Sequence, residues 1–367
     1  MFNKNVLSEE LSLIRKYTTE IKKYEDGISF AIGEPYLKVH EDVINETKRC
    51  LDNLECGYTS AQGQKELIDA ICIKENVLSE NVLVTSGSSE GIFISLLSLL
   101  NKDDEVIIIT PCYPQYSPVV SFCNGVVKYV DTSKTNYVPK IDSIKEVVND
   151  KTKIIIINSP SNPTGVTYDI STLNMINNLC KDHNIIVICD DVYEYITYKE
   201  KEKFSFDLDY SVTLKSFSKT YGMTGYRLGY LITSNKILKQ LLKVHSYLSI
   251  SLPIFIQKAG VKALQLPNNS YQYFTNNLSI VKSFLEVEEI EYIDVSGGIF
   301  IFINIEKYGT SDSEFCTRLL HEFHVACVPG NCFLAPGYIR LNFAVKTEDL
   351  ITGLERIKCF IKTLKKD

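Results

Sequence analysis

Lys219 and Arg227 lie close together in Ser216-Phe217-Ser218-Lys219-Thr220-Tyr221-Gly222-Met223-Thr224-Gly225-Tyr226-Arg227-Leu228-Gly229, a run rich in small residues that follows an apolar segment. A lysine held in a dry cleft loses its charge readily, and the free amine can add to an aldehyde to form a Schiff base. An arginine at a fixed distance can clamp a phosphate through two parallel hydrogen bonds. The pair suits one small molecule that carries both an aldehyde and a phosphate. Taken alone, the stretch also reads as a surface loop with two cations.

Other polar residues gather at comparable places. Ser86-Gly87-Ser88-Ser89 stands between an apolar run and the start of a helix. Free backbone N–H groups and the helix dipole would suit an anion there, and a plain serine N-cap would give the same sequence. Asp190 ends the apolar run Ile185 to Cys189, with Tyr193 three residues on. A carboxylate at a buried strand end needs a cation, unless it is a structural cap beside a core tyrosine. Asn162 lies in Ser159-Pro160-Ser161-Asn162-Pro163-Thr164-Gly165, which reads as a turn. Tyr113 follows Pro111-Cys112 and suits either ring stacking or ordinary packing. Arg340 sits inside the apolar run Ile339 to Ala344, where a guanidinium wants a carboxylate.

The elements that must hold these residues alternate. Apolar, β-branched runs at Val82–Thr85, Glu105–Ile109, Val126–Val130, Ile154–Ile157, Ile185–Cys189, Val212–Leu214 and Gly229–Thr233 are separated by helical patterns. That rhythm predicts an α/β fold: a large domain with a mostly parallel seven-stranded sheet between helices. In such sheets ligands sit outside the carboxyl ends of the strands, where Ser88, Asn162, Asp190 and Lys219 fall. After Pro253 the pattern changes. A helical stretch from Ile254 through Leu285 precedes strands at Glu291–Val295, Ile299–Ile305, Val325–Val328 and Ile339–Ala344, with helices at Ser311–Phe323 and at the end. This predicts a smaller α+β domain built from the N-terminal segment and the C-terminal third. The expected boundaries are 1–40 for an N-terminal arm joining the small domain, 41–265 for the large domain and 266–367 for the small one.

Composition removes several function classes. Of 367 residues, 45% are hydrophobic and 23% charged, with a formal net charge of −6 and no basic stripe. Neither a nucleic acid nor a membrane surface finds a footprint. Charges between Phe2 and Tyr17 occupy the place of a signal-peptide core, and no apolar run is long enough to span a bilayer. The 11 cysteines have no framework spacing, so they read as reduced thiols of a cytoplasmic protein, with Cys72, Cys189 and Cys327 as small core residues. His321 and His324 share a helical face but lack zinc-protease spacing, so they read as solvated histidines and no metal is expected.

Taken in order from Ile32 to Arg340, these motifs resemble those of the class I/II aminotransferases, pyridoxal phosphate (PLP) enzymes of fold type I. The resemblance implies that Lys219 carries PLP as a Schiff base and that Ser88, Ser89, Ser216 and Arg227 surround its phosphate. It also implies that Asp190 meets the ring nitrogen, Tyr193 and Asn162 the ring oxygen, and Tyr113 the ring face. Arg340 and Gly33, the latter in Ile32-Gly33-Glu34-Pro35, would hold the substrate carboxylate, with Asn162 also counted among the substrate-binding residues. Tyr58, in Gly57-Tyr58-Thr59, would reach the phosphate of a neighbouring subunit, making the protein a homodimer with shared sites.

The implied reaction moves an amino group from an L-amino acid to a 2-oxo acid, with Lys219 as general base, Asp190 and Tyr193 tuning the ring, and Arg340 guiding the substrate. The same residues support other PLP chemistry in a biosynthetic pathway, such as a cyclase, an eliminating lyase or an oxidase. The chain departs from the usual pattern at Tyr36-Leu37-Lys38-Val39 and in a short span from Leu67 to Val82. It also has Ser89 where members favouring acidic substrates often carry lysine, which weakens an aspartate preference. A third reading, a regulator's effector-binding module, would need a DNA-binding segment ahead of Phe2 and sits poorly with an intact Lys219.

Overall fold

Four consecutive isoleucines, Ile154 to Ile157, are all essentially inaccessible to solvent, as a strand covered on both faces requires. They form the middle of a seven-stranded sheet in the computed structural model, which describes residues 2–199, 203–267 and 270–364. Its strands are β1 (Val82–Thr85), β2 (Glu105–Thr110), β3 (Val126–Asp131), β4 (Thr152–Asn158), β5 (Ile186–Asp190), β6 (Ser211–Ser216) and β7 (Gly229–Thr233). Their order is β1-β7-β6-β5-β4-β2-β3. β7 is antiparallel to both neighbours and every other pair is parallel. Each of the seven runs expected in this sheet is a strand, with ends shifted by at most two residues.

The register fixes what meets at the carboxyl edge. Asn158 lies beside Asp190, and Asp190 beside Leu214. Gly229, at the start of the antiparallel strand, lies between Thr85 and Ser216. Because β7 runs backwards, Arg227 just ahead of it reaches the same edge at which β1 and β6 end. One apolar layer under the sheet joins the Gly87–Leu99 helix to Leu214, Leu231 and Leu241. The layer on the other face joins Ile155, Ile157 and Val187 to Leu173 and Ile176 of the Ile170–His183 helix.

A second core is built around β8 (Phe300–Asn304), β9 (Val328–Pro329) and β10 (Tyr338–Asn342), an antiparallel sheet in the order β9-β10-β8. Tyr17, Ile21 and Phe30 from the N-terminal segment pack into it with Leu319 and Phe360. The two-residue strand Ile28–Ser29 pairs with Val325–Ala326.

Three expectations for this part need correction. The Glu291–Val295 run forms no strand: it lies along β8 through Ile293 N–H to Phe302 O and Asn304 N–H to Glu291 O, but bridges it at one pair only, Tyr292 with Ile303. The Val325–Val328 run divides into two short strands in different sheets. The Ile254–Leu285 stretch is two helices, Ile254–Leu264 and Ser270–Val287, and residues 268–269 between them lie outside the described residues.

Cys189 and Cys327 are buried as expected, whereas Cys72 is half-buried. His321 is on its helix and exposed. His324 caps that helix at φ 54° and meets Asp26 Oδ1 through Nδ1 at 2.7 Å. Among the described residues no helix is long and apolar enough to cross a membrane.

Leu214 is fully buried between the sheet and the Gly87–Leu99 helix, one strand over from Asp190. Leu214→Ala is expected to lower the unfolding free energy by about 3 kcal/mol, the usual result of an unfilled core cavity. A denaturant midpoint unchanged at constant slope would contradict this placement.

Candidate active site

Asp190 ends β5 with its side chain buried, and its two oxygens differ. Oδ2 accepts from the Tyr116 hydroxyl at 2.7 Å, while Oδ1 has no partner. Burial pushes the carboxyl up to about 6, and the Tyr116 hydrogen bond opposes that rise. The next residue, Asp191, is held by Lys215 Nζ at 2.9 Å. Of the adjacent aspartates, only Asp190 lacks a cation within ion-pair distance among the described residues.

Lys219 lies on the short Phe217–Thr220 helix that follows β6. Its ammonium donates to Gly33 O at 2.5 Å. Burial pulls it down to about 8; Glu34 counters this, while Arg227 and Arg340 reinforce it. Asp190 is a further charge within its reach. A Cβ at Gly33 would stand 3.0 Å from the Phe300 ring and 3.9 Å from Lys219 Nζ, so the glycine is what lets this backbone approach the amine.

Arg227 has the left-handed φ of 52°, a strained conformation for a side-chain-bearing residue. It lays its guanidinium against the Ser86–Ser89 turn, with Nη2 at 3.5 Å from Ser86 O and Nη1 at 3.1 Å from Thr224 O. A Cβ on Gly87, whose φ is 76°, would stand 2.7 Å from Arg227 Nη2. Ser88 and Ser89 open the Gly87–Leu99 helix there, half-buried, so helix N–H groups and a guanidinium face one another. Ser216 Oγ accepts from Ser218 N at 3.1 Å, which leaves its hydroxyl proton to donate. Under the turn, Glu90 accepts from Ser86 N and from the buried His245, at 2.5 and 3.1 Å, and from Ser249. Burial alone would raise the Glu90 carboxyl, but these hydrogen bonds outweigh it and hold the group low.

Arg340, on β10, is 1% exposed and has no carboxylate within ion-pair distance among the described residues. Nη1 donates to Asn162 Oδ1 at 2.8 Å and Nη2 to Ala31 O at 2.5 Å, while Nε has no partner. The guanidinium carbon lies 4.0 Å from the centre of the Phe300 ring. Burial lowers this group to about 10. Tyr193 is buried edge-on to Phe300, with ring centres 6.0 Å apart, and burial raises its phenol. Tyr113 is edge-on to Tyr116 at 5.6 Å, and its phenol is raised by burial and then by the Asp190 charge.

The structure thus brings Gly33, Ser88, Ser89, Tyr113, Asn162, Asp190, Tyr193, Ser216, Lys219, Arg227 and Arg340 to one cleft edge. Tyr58 is not among them: it is 85% exposed on the chain's own surface. Two buried residues escaped the sequence reading. Tyr116 holds Asp190. Asn158 donates to Asp190 O at 2.7 Å and accepts from Asn162 N at 2.6 Å, tying the β5 end to the Asn162 turn. Asn158 had a signal, as the polar residue that ends an isoleucine run. Tyr116 had none beyond its spacing from Tyr113. A cavity of about 880 Å³ against Tyr137, Tyr168, Asp294 and Tyr338 lies apart, and none of these site residues lines it.

A PLP molecule would fit these groups. Asp190 Oδ1 is a buried acceptor awaiting a donor, and the Gly87 turn with Arg227 is an anion cradle that any Cβ would fill. Asn158→Ala would strand Asn162 N–H and Asp190 O, and is expected to lower the unfolding free energy by about 2 kcal/mol. An equilibrium denaturation curve that overlays the parent's would show that Asn158 does not carry this link.

A family model for aminotransferase class I and II matches residues 25–357. An aspartate aminotransferase of Thermotoga maritima is 34% identical, with 97% of each chain covered. A (5-formylfuran-3-yl)methyl phosphate transaminase of Methanocaldococcus jannaschii is 32% identical, over 96% of this chain and 95% of that one. The crystal structure of an aromatic aminotransferase from Pyrococcus horikoshii superposes with a TM-score of 0.89 at 29% identity, over 95% of this chain and 99% of that one. The chain belongs to the class I and II aminotransferases.

Proposed function

We propose that this aminotransferase uses PLP, held by Lys219, to move an amino group from an L-amino acid to a 2-oxo acid. One observation carries the reading: Asp190, Lys219 and Arg340 converge at a single cleft edge, each without an ionic partner among the described residues. Three buried or half-buried charged groups left in this way are a site prepared for a ligand with complementary groups.

When bound, PLP supplies a conjugated ring that accepts the electron pair released at the substrate's Cα. The chain's residues do the rest. Asp190 Oδ1 would accept the ring N–H and keep the ring electron-poor. Tyr193 and Asn162 would attend the ring oxygen, and Tyr113 would cover a ring face. Ser88, Ser89, Ser216 and Arg227 would bind the phosphate. Arg340 offers its fork to the substrate carboxylate, with the Gly33 backbone alongside. The Lys219 amine, uncharged once freed, takes the Cα proton and later returns it.

The domain limits 1–40, 41–265 and 266–367 belong to this reading, supported by the packing of Tyr17 and Phe30 against the second core. So does a homodimer that shares its sites. Thr59 N donates to Ser251 Oγ at 3.2 Å, which sets exposed Tyr58 beside exposed Leu248 and Ile250. Free thiols throughout the described cysteines support a cytoplasmic setting. The matched proteins' names differ in substrate, and Ser89 offers no cation for an acidic side chain.

Lys219→Ala is expected to remove the protein's yellow colour with PLP and to lower turnover about a thousandfold or more, with the fold retained by circular dichroism. Arg340→Lys, which loses the two-pronged fork, should raise KM for the amino donor at least about tenfold. Full turnover in the lysine variant would end the assignment of position 219.

The lowered lysine sets a pH dependence as well. Only the uncharged amine captures an aldehyde, and its fraction grows as pH rises toward the Lys219 value of about 8. The rate of PLP capture by apoprotein should therefore climb about tenfold per pH unit below that point and level off above it. A stopped-flow series showing a rate independent of pH from 6 to 9 would contradict this.

A further inference from the structure

Tyr116 is 1% exposed on a helix that packs under the sheet, beside Val120 and Ile188. Its ring belongs in that layer, but a phenylalanine would fill the space as well. A buried phenol keeps its hydroxyl at a net benefit only when it finds an acceptor. Here the acceptor is Asp190 Oδ2, at 2.7 Å. The bond consumes one carboxylate oxygen and fixes the plane of the other.

We propose that Tyr116 is a positioning residue for the cofactor ring: its hydroxyl locks the rotation of the Asp190 carboxylate so that Oδ1 stays turned to the ring nitrogen, and holds the group ionised. The proposal rests on the reading of Asp190 given above and adds a residue to it. Donation to an ionised carboxylate favours the charged form. The other titratable groups around Asp190 are Asp191, which disfavours its charge, Lys219, which favours it, and the neutral phenols of Tyr113 and Tyr193. Asp191 shares the Lys215 ammonium with Glu194 and Glu75, and Lys219 supports the Asp190 charge only while it is itself protonated. Among the described residues Tyr116 is the side chain that hydrogen-bonds Asp190, beside the Val192 backbone N–H, and its contribution does not change with pH between 6 and 9.

The sign follows. Above about pH 6 the parent carries an ionised Asp190, and below that it does not. Removing the hydroxyl raises the pH at which the charge is lost. A variant without it should bind the ring weakly near neutrality and recover toward alkaline pH. A packing defect would weaken binding equally at every pH.

The test uses pyridoxamine 5′-phosphate, which carries the same ring and phosphate but cannot join covalently to Lys219. Its dissociation constant is measured on apoprotein of the parent and of Tyr116→Phe from pH 6 to 9, as a ratio that cancels the probe's own titration. The ratio is expected to be about tenfold at pH 7, the scale of one hydrogen bond to a charged group, and to shrink toward pH 9. On an Asp190→Asn background, Tyr116→Phe should have no further effect.

A ratio within about twofold at every pH, or one that survives on the Asp190→Asn background, overturns the role. Should Tyr116→Phe fail to fold, site-specific 3-fluorotyrosine at 116, a stronger donor of the same shape, is expected to tighten binding near pH 7, and equal or weaker binding overturns the role. If the parent binds no pyridoxamine 5′-phosphate, the cofactor reading falls and this proposal with it. If the parent binds it and the Tyr116 variants bind it as the parent does, this proposal falls alone.

Discussion

A chain of buried hydrogen bonds runs through the centre of this protein and keeps two opposite charges apart. Tyr116 donates to Asp190, Asn158 joins the Asp190 backbone to the Asn162 turn, and Asn162 accepts from Arg340. Every member is buried. A carboxylate and a guanidinium this well shielded would gain by pairing, and such a pair would leave neither free for a ligand. The two amides between them transmit position without neutralising charge. Asp190 keeps an oxygen and Arg340 a nitrogen without a partner, so the cost of burying each charge is only partly offset by the protein itself. Each therefore keeps a group that a ligand of complementary charge would satisfy.

The sheet supplies the precision for the first half of that chain. Asn158 and Asp190 are register neighbours on parallel strands, so their spacing is set by the backbone ladder rather than by side-chain flexibility. The second half crosses to another core. Arg340 lies opposite Phe302 on an antiparallel pair, and Phe300, two residues along, offers the ring face beneath the guanidinium. A shift of either core relative to the other would act first on the Asn162–Arg340 contact. The amine and the phosphate cradle belong to the sheet side, since Lys219 and Arg227 flank the strands β6 and β7. Lys219, Asp190 and Arg227 are thus fixed on one core, and Arg340 comes from the other.

This division explains what could be read from the chain alone. Strand-end residues announce themselves: an apolar run stops, and a charged or small polar residue stands where solvent or a ligand must be. Lys219, Asp190, the Ser86–Ser89 turn and the isoleucine strand before Asn158 were legible for that reason. Arg340 was legible because a lone charge inside an apolar strand needs an explanation. Tyr116 was not, because a tyrosine on a buried helix face looks the same whether its hydroxyl is used or merely tolerated, and only the distance to Asp190 separates the cases. Asn158 was overlooked because it follows the isoleucine run as any turn residue would. The Glu291–Val295 segment kept a strand's alternation yet formed a single bridge, since periodicity reports which faces are buried and says nothing of whether a ladder is continuous. The Tyr58 expectation lies beyond one chain altogether, since its role would be filled on a neighbouring copy.

The same division bears on specificity. The groups at the strand ends have little freedom: a register-fixed carboxylate, an amine on a four-residue helix and an arginine whose guanidinium fits only because Gly87 has no side chain. Segments outside the sheet, chiefly the Gly33–Val39 loop, lie against these groups, with the Gly33 carbonyl on Lys219. They are held by a few backbone contacts, such as Tyr36 N–H to Ala344 O at 2.6 Å and Asn342 Nδ2 to the carbonyls of Ile32 and Glu34. Loops anchored at a few points tolerate changes of length and composition that strands do not. That contrast fits a chain that departs from the usual pattern at Tyr36-Leu37-Lys38-Val39 while its strand ends keep Asp190, Lys219 and the Gly87 turn in place.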